Sequence, residues 1–79
     1  MELIMQLREV DRLARLSNAL EAQGREIEAD TIYGQMWRLA TEAASTLCEV
    51  LEGQIGYHEA LNMVIHQDGT IINIITMAA

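Results

Sequence analysis

The chain contains no proline. Proline breaks a helix interior by removing an amide donor and clashing with the preceding turn, so its absence leaves long helices open. Apolar residues recur at three- and four-residue spacing, the signature of one face of an α-helix. Leu3, Leu7, Val10, Leu13, Ala14, Leu16 and Leu20 fall on one side of residues 2–23. Arg8, Glu9, Asp11, Arg12, Arg15, Asn18 and Glu21 fall on the other. Asp11 with Arg15 and Glu9 with Arg12 have the spacing of intrahelical ion pairs. Gly24 is placed to end this helix in a left-handed conformation.

A second helix is predicted over residues 25–53. Ala29, Tyr33, Met36, Ala40, Ala43, Leu47 and Val50 keep an unbroken 4-3-4-3 spacing along it. That spacing matches a coiled-coil-like seam, and its alanines permit close approach of another helix. Glu26, Glu28 and Asp30 suit the positive end of the helix dipole. A start at Asp30, acting as N-cap, is the shorter alternative.

Gly53 and Gly56 bracket a break, and Tyr57–Leu61 is expected to form a single helical turn. Beyond it the residues turn β-branched. Met63–Gln67 and Thr70–Thr76 flank Asp68-Gly69, the type of pair that favours a two-residue hairpin turn. The sequence therefore predicts an α+β fold: a helical hairpin followed by a β-hairpin over residues 62–76 packed on it. Thr70–Thr76 is uncharged and an aggregation hazard if left bare. Pairing of that strand with a second copy, giving a homodimer, is one expected solution; cover by the chain's own helices is the other.

The 79 residues make one domain with a net charge of −7. Such a charge argues against binding nucleic acid or an anionic membrane. The opening residues lack the basic and long apolar regions of a signal peptide. No apolar run approaches the roughly 18 residues of a membrane span. One cysteine, Cys48, suits a reducing compartment, so a cytoplasmic location is expected.

No cofactor, metal or catalytic site is expected. Zinc favours close pairs such as Cys-x-x-Cys, whereas Cys48, His58 and His66 are widely separated. Cys48 lies well inside the second helix, away from the helix N-termini and cations that favour a reactive thiolate. Arg8, Arg12 and Arg15 repeat at i, i+4, i+7 as a ridge on the first helix. All five cations, each an Arg, precede Leu39, so the acids after it have few partners. Glu42, Ser45, Glu49 and Glu52 make one ridge of the second helix, and Glu59 extends the acidic surface. Only Glu42 has a helical partner, Arg38, at i,i+4. Tyr33 and Trp37, one turn apart, are candidate apolar anchors.

These residues predict a binding protein rather than an enzyme. Glu42, Glu49, Glu52 and Glu59 would face Lys or Arg on a larger partner, with Trp37 or Tyr33 as anchor. By charge and size the chain is analogous to small inhibitors of nucleic-acid-handling machinery, such as anti-CRISPR and anti-restriction proteins of phages and mobile elements. The alternative is a homo-oligomeric assembly module using the Ala-rich seam and the C-terminal strand.

Overall fold

The computed structural model describes residues 2–67. They form three helices: α1 (Glu2–Ala22), α2 (Glu26–Val50) and α3 (Tyr57–His66). α1 and α2 make the principal contact, α3 packs chiefly on α2, and its contact with α1 is the smallest. The molecule measures 41 × 19 × 18 Å. Its long axis is that of α2, whose 25 residues span about 38 Å at ~1.5 Å each.

Gly24 ends α1 as its position in the sequence predicts, with φ +77°. The amide of Arg25 bonds the Leu20 carbonyl at 2.9 Å, and that of Gly24 bonds Glu21 at 3.0 Å. These two bonds define a Schellman turn, which satisfies carbonyls left free at the helix end. α2 starts directly afterwards at Glu26, so the alternative start at Asp30 is not the one adopted. The same two-bond pattern closes α2, from Gly53 to Cys48 and from Glu52 to Glu49.

The core joins Leu3, Leu7, Val10 and Leu13 of α1 to Met36, Ala40, Ala43, Ala44 and Leu47 of α2, with Ala60 and Val64 of α3. Ala40, Ala43 and Ala44 have no exposed surface. The small side chains let neighbouring backbones approach closely, and that contact is made within one chain.

The α+β expectation is overturned: the described residues are all-helical and contain no strand. Met63–His66, expected as the first arm of a β-hairpin, is the end of α3. Ala60, Leu61, Val64 and Ile65 recur at helical spacing, and Ala60 and Val64, four apart, are fully buried. Packing of that stripe outweighs the modest β preference of Val64 and Ile65, which context readily overrides. The Asp68-Gly69 turn and the arm Thr70–Thr76 lie outside the described residues.

The stripes are also corrected in detail. Ser17, not Leu16, is buried on α1, at 5% exposure against 37%. Its hydroxyl donates a 3.0 Å hydrogen bond to the Ala29 carbonyl, which satisfies a polar group in an apolar seam. Tyr33 and Val50, expected in the α2 seam, are exposed. By helical period Val50 lies on the side of α2 turned away from Ala44, and Tyr33 lies beyond the reach of α3. Its ten residues span about 15 Å, so it covers less than half of the hairpin.

Candidate partner-binding surfaces

Glu42 and Glu49 are exposed on α2, Glu52 lies in the following turn, and Glu59 is exposed in the first turn of α3. None of the four forms an ion pair among the described residues. The Arg38–Glu42 pair anticipated at i,i+4 is not formed. The pairs that do form are Glu9–Arg12, Asp11–Arg15 and Arg25–Glu28. The first two have the partners their spacing predicts.

Tyr33 and Trp37 meet edge to face, with ring centroids 6.1 Å apart and planes at 73°. They do not join the Glu42–Glu49 ridge. At about 100° per residue, they project roughly 120–180° away from it around the α2 axis. Trp37 is half-buried against the core, while Tyr33 is 50% exposed. The acidic ridge and the aromatic anchor are thus separate surfaces.

Tyr33 instead joins a different acidic group. Beside the turn that joins α1 to α2, a groove of about 380 Å³ is lined by Ser17, Asn18 and Glu21 of α1 and Glu26, Ala29, Asp30 and Tyr33 of α2. Glu21, Glu26 and Asp30 have no ion-pair partner among the described residues. Sequence reasoning assigned Glu26 and Asp30 to the helix dipole and left Glu21 on a solvated face. The available signal was Gly24. A tight turn there folds the last turn of α1 against the first turns of α2.

Three carboxylates beside an aromatic ring suit a guanidinium or ammonium group. The carboxylates accept charge-assisted hydrogen bonds, and the ring face attracts a cation. A second groove of about 390 Å³ lies on the other flank of the hairpin, lined by Leu16, Leu20, Ile27, Glu28, Thr31 and Ile32. It is apolar, and Ile27 there is 84% exposed.

Cys48 is a free, half-buried thiol, and His58 and His66 are exposed. Among the described residues, no group of three or more His, Cys, Asp or Glu side chains is placed to hold a metal ion. No described helix is long and apolar enough to cross a membrane. The Ala-rich seam anticipated as a self-association surface is occupied inside the protomer. No protein-family model, curated protein or solved structure matches the chain, so the analogy with phage-encoded inhibitors rests on charge and size alone and is not carried further.

Proposed function

We propose that this chain is a binding protein whose hairpin tip takes an arginine- or lysine-bearing segment of a protein partner. The observation that carries this reading is the convergence of Glu21, Glu26, Asp30 and Tyr33 on one groove, with no cation of the described chain paired to the carboxylates. The excess acid of a chain with net charge −7 supplies long-range attraction for such a partner. Glu42, Glu49, Glu52 and Glu59 contribute to that field but lie apart from the groove. A single cysteine suits a reducing compartment, and the cytoplasm is the location this reading assigns.

Trp37 is the only tryptophan and touches Tyr33, so its emission reports on the groove. The test is a fluorescence titration with an Arg-rich peptide at low and moderate salt. Combining Glu21→Gln, Glu26→Gln and Asp30→Asn should weaken binding about tenfold or more. Neutralising Glu42 and Glu49 should change it less than about threefold. Unchanged affinity in the groove variant would refute this assignment.

A further inference from the structure

We draw no further inference here: the strongest candidate, the apolar groove lined by Leu16, Leu20, Ile27 and Ile32 on the flank of the α1–α2 hairpin opposite α3, carries nothing because nothing in the structure shows what covers it.

Discussion

The side-chain amide of Gln67 donates a 2.7 Å hydrogen bond to the backbone carbonyl of Leu7. It joins the end of α3 to α1, the two helices with the least mutual contact. Gln67 adopts a left-handed conformation, φ 40° and ψ 51°, while its amide bonds Met63 at 2.8 Å. The turn that ends α3 is thus tied back across the bundle. Gln67→Ala should cost about 1 kcal/mol, felt as roughly fivefold faster amide exchange across α3. Equal acceleration in α1 and α2 would show that the bond supports the whole bundle and does not act on α3 alone.

Two positions carry the wrong residue for stability, in opposite senses. Gly34 sits inside α2, and a Cβ there meets nothing within 4 Å. Gly34→Ala should stabilise by about 1 kcal/mol, because alanine loses less backbone entropy in a helix. Glu52 holds φ +54° at the end of α2, a conformation that costs side-chain-bearing residues about 1 kcal/mol. Glu52→Gly should recover much of that. Each change should raise Tm by about 4–8 °C in calorimetry for a domain of this size. A lowered Tm would contradict the geometry at that site.

Ala44 has no exposed surface where α2 meets the core. Ala44→Leu adds three carbons to a filled space and should cost about 1–3 kcal/mol. Urea denaturation reads this as a lower midpoint with an unchanged slope. A wild-type midpoint would mean that the contact has room to spare.

The Arg12 guanidinium hydrogen-bonds both Glu9 oxygens, with Nε at 3.1 and 3.0 Å, and pairs through a terminal nitrogen as well. These hydrogen bonds hold the Glu9 carboxyl below its ordinary value near 4.5. A lowered folded-state pKa stabilises above the ordinary value, and that contribution fades as pH falls through the folded one. The pair lies at the solvent edge, so its effect on Tm at neutral pH is small. Arg12→Gln should raise the Glu9 midpoint toward 4.5 in an NMR titration. An unmoved midpoint would exclude the pairing as the cause.

The two long helices were legible because each signal is local. Apolar spacing reports one face of a helix, Gly24 supplies the left-handed turn, and the Glu9–Arg12 and Asp11–Arg15 pairs need only their own helix. α3 was harder to read. Val64 and Ile65 favour a strand locally, and only the surface offered by α2 makes the Ala60–Val64 stripe decisive. The candidate site was legible as composition but not as geometry. The acid surplus and the Tyr33–Trp37 contact follow from sequence. That Tyr33 faces Glu21 and not Glu42 does not, because Glu21 comes from the other helix.

The sequence by itself determined the helical hairpin, the turn that closes it and the surplus of acid, since these depend on neighbours within a few residues. Tertiary structure decided which stripe is buried at Ser17, what becomes of Met63–His66 and which carboxylates share a groove. Those outcomes depend on how α1, α2 and α3 fit together, and burial of a face against a partner helix outweighs the small local preferences of the residues that form it.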